Sequence, residues 1–192
     1  MRQAGRGPVE LGRPRGPRAH SSADGDPVEI GPGSEDDLPA IVDILNYTIM
    51  NSDATFTSQP VSLAERRAWF GRFPGTGPYR LFVARRGDQV LGYAASQPYR
   101  DHAGFRETVE VSVALDASSR GRGIGTALYR ALFECLDGEP VHVVLAGIVV
   151  PNDASIALHR KFRFTEVGTF HEYAVKNGRY LSSVWMERLS HP

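Results

Sequence analysis

The chain has 192 residues, 41% of them hydrophobic, and its 22 Lys and Arg balance its 22 Asp and Glu. That length buries one sizeable core but hardly two, so one domain is expected. Zero net charge supplies no field to recruit nucleic acid or an anionic membrane, and a single cysteine excludes a disulfide framework or a thiolate metal site within one chain.

The opening stretch, Met1 to Pro27, is rich in Arg, Gly and Pro and lacks an apolar block of signal-peptide length. It reads as a disordered tail before a domain spanning residues 28–189. No later segment reaches the roughly 20 apolar residues that span a bilayer, which makes a cytoplasmic protein the simplest expectation.

Val28-Glu29-Ile30 offers a short strand that Gly31-Pro32-Gly33 should break. Ser34 then caps a helix whose apolar residues Leu38, Ile41, Ile44, Leu45 and Ile49 recur at three- and four-residue steps. A second helix follows Ser62, where Ser62 and Glu65 have capping-box spacing, and ends before Pro74. Arg80 to Arg85 and Gln89 to Ser96 are β-prone runs joined at Arg86-Gly87-Asp88, a hairpin signal.

Glu107 to Leu115 alternates. Val109, Val111, Val113 and Leu115 share one face, and Thr108, Glu110 and Ser112 share the other, which turns the Glu110 carboxylate away from the apolar layer. Arg120-Gly121-Arg122-Gly123-Ile124-Gly125-Thr126 leads into a helix with Ile124, Leu128, Ala131, Leu132 and Leu136 on one side, and Cys135 reads as core within it. The nearly all-apolar run Val141 to Val150 predicts a central strand buried on both faces. Pro151-Asn152-Asp153 stops it, a short helix runs through Phe162, and two strands flank the Asn177-Gly178 turn. The order, strand, two helices, three strands, helix, strand, helix, two strands, predicts a mixed α/β arrangement around one sheet.

A strand feeding alternate glycines and then a helix is a device for holding phosphate. Helix-start N–H groups are unpaired, the dipole adds positive charge, and Arg120 and Arg122 add cationic donors. A Walker A loop fails, because Gly125 is followed by Thr126 with no lysine. A dinucleotide fingerprint fails too, because Thr126 stands where its third glycine belongs.

What remains, Arg-x-x-Gly-x-Gly at Arg120, Gly123 and Gly125, resembles the pyrophosphate loop of the GCN5-related N-acetyltransferases. Further matching stretches are Ala54-Thr55-Phe56 with Ala68-Trp69-Phe70, Gly104-Phe105-Arg106 with Thr108-Val109-Glu110, Ser112-Val113, Asn152-Asp153-Ala154-Ser155 with Leu158-His159, and Gly178-Arg179 with Val184-Trp185-Met186. Together they are similar to the subgroup of phosphinothricin and methionine sulfoximine or sulfone acetyltransferases.

The resemblance implies a mixed, mostly antiparallel sheet of about seven strands with about four helices. It also implies acetyl-CoA as co-substrate, a small-molecule amine as acceptor, no metal, no nucleic-acid or membrane partner, and a homodimer. An acceptor amine is protonated at neutral pH and must lose a proton, and the glutamate matching Glu110 is the general base. His159 matches a position that protonates the departing thiolate or helps deprotonate the amine. The loop from Arg120 through Gly121, Arg122, Gly123, Ile124 and Gly125 to Thr126 holds the pyrophosphate. The backbone of Ser112, Val113 and Ala114 pairs the pantetheine arm and donates to the developing oxyanion, and Asn152 anchors the same arm. Arg100 and Arg106 bind an acidic or strongly dipolar group of the acceptor, with Phe56 walling its pocket.

The chain departs from the subgroup at Gly31 and Pro32, Ala114, Arg163 and Ser182, and Ala114 and Ser182 reshape the acceptor pocket. A peptide N-terminus, a lysine or a polyamine is the competing acceptor class, and a non-catalytic acetyl-CoA sensor the competing non-enzyme. A polyamine site wants an acidic lining, which the sequence around Glu110 lacks.

Overall fold

The computed structural model describes residues 26–190, so nearly all of the Arg/Gly/Pro-rich tail lies outside the described residues. Among them seven strands form one sheet: β1 (Glu29–Pro32), β2 (Arg80–Arg86), β3 (Gln89–Pro98), β4 (Thr108–Leu115), β5 (Val143–Val150), β6 (Thr165–Lys176) and β7 (Arg179–Leu189). Four α-helices accompany them: α1 (Leu38–Asn51), α2 (Leu63–Phe70), α3 (Ile124–Leu136) and α4 (Asp153–Lys161). The sheet order is β1-β2-β3-β4-β5-β7-β6. Every neighbouring pair is antiparallel except β4 and β5, which run parallel.

Local chemistry sets the boundaries. Ser62 Oγ accepts from the Glu65 N–H at 3.2 Å while the Glu65 carboxylate accepts from the Ser62 N–H at 2.7 Å, closing the expected capping box at the start of α2. Ser34 and Asp37 close another, which opens a 3-10 turn running into α1. Asn177 and Gly178 both have positive φ, 50° and 76°, as the tight β6–β7 turn requires.

Two cores sandwich the sheet. On one face, α3 buries Ile124, Leu128, Tyr129, Leu132, Phe133 and Leu136 against Val109, Val111, Val144, Ala146, Val184 and Met186. On the other, α1 sets Leu38, Ile41 and Ile44 on Leu81, Val83, Tyr93 and Ala95, with Ala114 alongside. This second core takes nothing from β5, β6 or β7, so among the described residues no helix layer covers that half of the sheet.

The structure corrects three details. β1 continues through Gly31 and Pro32, because β1 is an edge strand and proline's missing N–H costs nothing on the open side. β5 is only partly buried on its second face: Val144, Ala146 and Ile148 enter the α3 core, whereas on the opposite face Val149 is buried and Gly147 is exposed. Cys135 is only half-buried and stands outside the core.

Candidate active site

The parallel pair β4–β5 is joined at three positions only, Thr108 with Val143, Val109 with Val144, and Glu110 with Leu145. Beyond Glu110 the strands part. β4 remains bonded to β3 as far as Leu115, and β5 to β7 as far as Val150. Along Ser112, Val113 and Ala114 the β4 edge facing the gap therefore has main-chain groups with no strand partner. Crevices at the carboxyl ends of parallel strands are where open sheets bind ligands.

A loop closes each arm of the fork. After β4, residues 120–123 turn into α3, with Gly121 at φ 74° and Gly123, the residue before the helix, at φ 80°. A side chain at Gly123 would meet no atom within 4 Å, so backbone conformation, not space, demands glycine there. The first bond of α3 runs from Ala127 N–H to Gly123 C=O at 3.0 Å, which leaves the amides of Ile124, Gly125 and Thr126 facing outward as an anion site. Gly125 also lets α3 approach closely, since a Cβ there would lie 3.3 Å from Leu158. Arg120 and Arg122 are exposed and have no acidic partner among the described residues.

After β5, Asn152 caps α4 by accepting from the Ser155 N–H through Oδ1 at 3.2 Å. Its amide Nδ2 has no partner among the described residues and, half-buried, is available as a donor at the mouth of the fork.

Glu110 occupies the last paired position, where the strands separate. Its carboxylate has no hydrogen-bond or ion-pair partner among the described residues, and burial raises it above the usual glutamate range, which makes it a stronger base. Cross-strand partners share a face, so Glu110, Leu145, Gly147 and Trp185 lie on the half-sheet that no helix covers. The Trp185 indole lies against Gly147, where an added Cβ would be 3.0 Å from the ring.

From Trp185 a row of ring contacts runs both ways. Tyr99 is 6.0 Å away and Phe105 a further 5.4 Å from Tyr99; in the other direction come Phe170 at 6.5 Å, Tyr173 and finally Phe56. Arg100 stands at the first end, its guanidinium 5.0 Å from the Tyr99 ring centre and 5.7 Å from Phe105. The structure thus brings Phe56, Arg100 and Glu110 to one face. Arg106 is elsewhere engaged, in an exposed ion pair with Glu107 at 2.8 Å. The aromatic wall escaped the sequence reading, although Trp185 was the visible signal.

His159 is on the other side of the sheet. Its ring is 3% exposed and packs on Tyr129 and Phe164, within the α3 core. Nδ1 is 2.8 Å from the Ser155 carbonyl oxygen, which can only accept, so Nδ1 carries the proton; Nε2 then accepts from the Tyr129 hydroxyl at 2.9 Å. Burial depresses the His159 pKa, only partly opposed by the Ser155 bond, so the ring stays neutral. Both nitrogens are occupied, Nδ1 within α4 and Nε2 in fastening α4 to Tyr129 of α3.

A sheet forked beside an amide-lined, arginine-flanked loop, with a basic carboxylate at the fork, sets an anion site next to a proton acceptor. Residues 46–164 match the acetyltransferase (GNAT) family, and the chain belongs to it: it is an N-acetyltransferase.

It is 42% identical over 163 residues to a phosphinothricin N-acetyltransferase of Streptomyces coelicolor, covering 84% of this chain and 95% of that protein. It is 38% identical over 151 residues to an L-methionine sulfoximine/L-methionine sulfone acetyltransferase of Pseudomonas paraeruginosa, covering 79% and 88%. The crystal structure of a phosphinothricin acetyltransferase from Sinorhizobium meliloti in complex with acetyl-CoA superposes with TM-score 0.79 at 31% identity, over 84% of this chain and 88% of that one.

Proposed function

We propose that this enzyme moves an acetyl group from acetyl-CoA to the α-amino group of a small amino-acid-like acceptor of the phosphinothricin or methionine sulfoximine and sulfone class. The observation that carries the reading is the raised, unpartnered Glu110 carboxylate at the fork, beside an aromatic wall that ends in Arg100. Acetyl-CoA supplies an activated acyl group as its thioester. The amides of Ile124, Gly125 and Thr126 with Arg120 and Arg122 fit its pyrophosphate, while the open edge of Ser112 to Ala114 and the free amide of Asn152 fit the amide-bearing arm.

Glu110 first attracts the acceptor's ammonium and then accepts its proton, leaving the nitrogen lone pair free to form the new C–N bond; the C–S bond breaks, and the second proton shed by nitrogen leaves with the sulfur as CoA thiol. Arg100 pairs with the acceptor's carboxylate, phosphinate or sulfone oxygen, and Phe56 with Trp185 covers the carbon chain between. His159 serves as the pin that positions α4, and hence Asn152, because neither ring nitrogen is free to carry a proton into the fork.

Purified enzyme with acetyl-CoA should release CoA thiol saturably with phosphinothricin, methionine sulfoximine or methionine sulfone, and far more slowly with spermidine or a lysine peptide. Turnover confined to the last two would overturn the acceptor assignment and leave the acetyltransferase intact.

Two further properties accompany the reading. Among the described residues no helix is long and apolar enough to cross a membrane, and dependence on acetyl-CoA suits a cytoplasmic enzyme. The edge ribbon β6–β7 exposes Val167, Phe170, Val175 and Tyr180, each more than half accessible, which suits pairing with a second copy. Light scattering should report twice the 21.1 kDa chain mass at micromolar concentration; a monomer there would rule the dimer out.

A further inference from the structure

Lys176, the last residue of β6, is 1% exposed, and among the described residues no carboxylate pairs with it. Its Nζ donates to the Ser52 carbonyl at 2.7 Å and the Thr55 carbonyl at 3.2 Å. Ser52 caps the C-terminus of α1, where the helix dipole concentrates partial negative charge, so the ammonium is placed where unpaired carbonyls can solvate it. Burying a cation without a counter-ion is costly, and an apolar side chain of the same length would fill this space without that cost. The cation must therefore be kept for what it fastens.

What it fastens is the segment between α1 and α2, which carries Phe56. At its far end this segment is held by Asn46, whose side-chain amide makes bonds of 2.9 and 2.8 Å with the Val61 backbone. At its near end there are three contacts with the β6–β7 hairpin: Lys176, an ion pair of Arg179 with Asp53, and the 5.4 Å edge contact of Phe56 with Tyr173. The Arg179 side chain is 66% exposed, so that pair is weak and readily screened by salt. Lys176 is the fastener that water cannot reach.

We infer that Lys176 is a positioning residue for the acceptor pocket: it holds residues 52–56 against the β6–β7 hairpin and so fixes Phe56 as the pocket wall. The inference rests on the acceptor reading above for its consequence in affinity, but not for the clasp itself.

The test uses Lys176→Met in the full chain. KM for the amine acceptor should rise about tenfold, while kcat and the KM for acetyl-CoA stay within about twofold, a split that general destabilisation would not produce. Backbone amides of residues 52–57 should exchange hydrogen faster, with β2 to β5 unchanged. In a Phe56→Ala background the same substitution should add little to KM, because the two act through one wall. Unchanged exchange in the loop would overturn the clasp; faster exchange with unchanged amine KM, or fully multiplicative effects with Phe56→Ala, would overturn its role in the pocket. Should the wild-type enzyme turn over none of the amino-acid acceptors, the acceptor reading fails on its own, and the exchange measurement still decides whether Lys176 orders the loop.

Discussion

Glu110→Gln should lower kcat by about two to three orders of magnitude while leaving the dissociation constant of acetyl-CoA within about twofold, since the amide keeps the shape of the side chain and loses only its basicity. The pH profile carries a second signature. Burial holds the Glu110 carboxyl above the usual glutamate range, and the proposed mechanism makes the ionised form the active one. Activity in kcat/KM should therefore decline with falling pH from a point above the ordinary carboxylate range, and Glu110→Gln should abolish that limb along with most of the rate. A variant that keeps wild-type kcat would remove Glu110 from the chemistry. Arg120→Ala separates donor from acceptor by the opposite pattern: a KM for acetyl-CoA raised about tenfold with kcat nearly unchanged, because a phosphate contact remote from the reacting carbon contributes uniformly to ground and transition states.

His159→Leu should cost stability more than catalysis. The substitution strands the Tyr129 hydroxyl, which is fully buried, and losing a buried partner costs about 2 kcal/mol, or roughly 6 °C in Tm for a domain of this size. Adding Tyr129→Phe removes the stranded group and should recover about half of the loss, the behaviour of two residues that act as a pair. Turnover per folded molecule should remain within about threefold of wild type. A fall of a hundredfold or more in the stable double variant would show instead that the imidazole transfers a proton.

The same residue leaves a trace in the pH dependence of stability. Its folded pKa lies below the ordinary 6.5, so the unfolded chain takes up the proton first as pH falls. The stabilising contribution is complete above 6.5 and is lost as pH drops through the depressed folded value. Tm measured over this window should therefore fall less steeply for His159→Leu than for the wild type.

What could be read from the sequence was what neighbouring residues decide. The Ser62–Glu65 box, the Asn177-Gly178 turn and the alternation that turns Glu110 away from the apolar layer all involve groups a few positions apart, and all are found as expected. The fork was not legible, because it is a failure of pairing between two strands that each read as a good strand. The second face of β5 misled for a related reason: an apolar run reads the same whether its outer residues are covered, as Val149 is, or left open, as Gly147 is. Tyr129 and His159 are 30 positions apart, and Lys176 and Ser52 are 124 apart, so no periodicity connects either pair. Arg163 is a local case of the same kind. It replaces a glycine typical of the subgroup and accepts a φ of 65°, which the fold imposes against the residue's own preference.

The fork has a consequence for how such an enzyme can change over generations. On the proposed reading its donor is met by main-chain amides along Ser112 to Ala114 and at the start of α3, groups that almost any side chain leaves in place. On the same reading its acceptor is met by side chains, Phe56, Arg100 and Trp185, each of which a single codon change can replace. Mutation can therefore redraw the range of amines accepted while the supply of acetyl groups continues undisturbed, and a single ancestral scaffold can serve a succession of small toxins or metabolites.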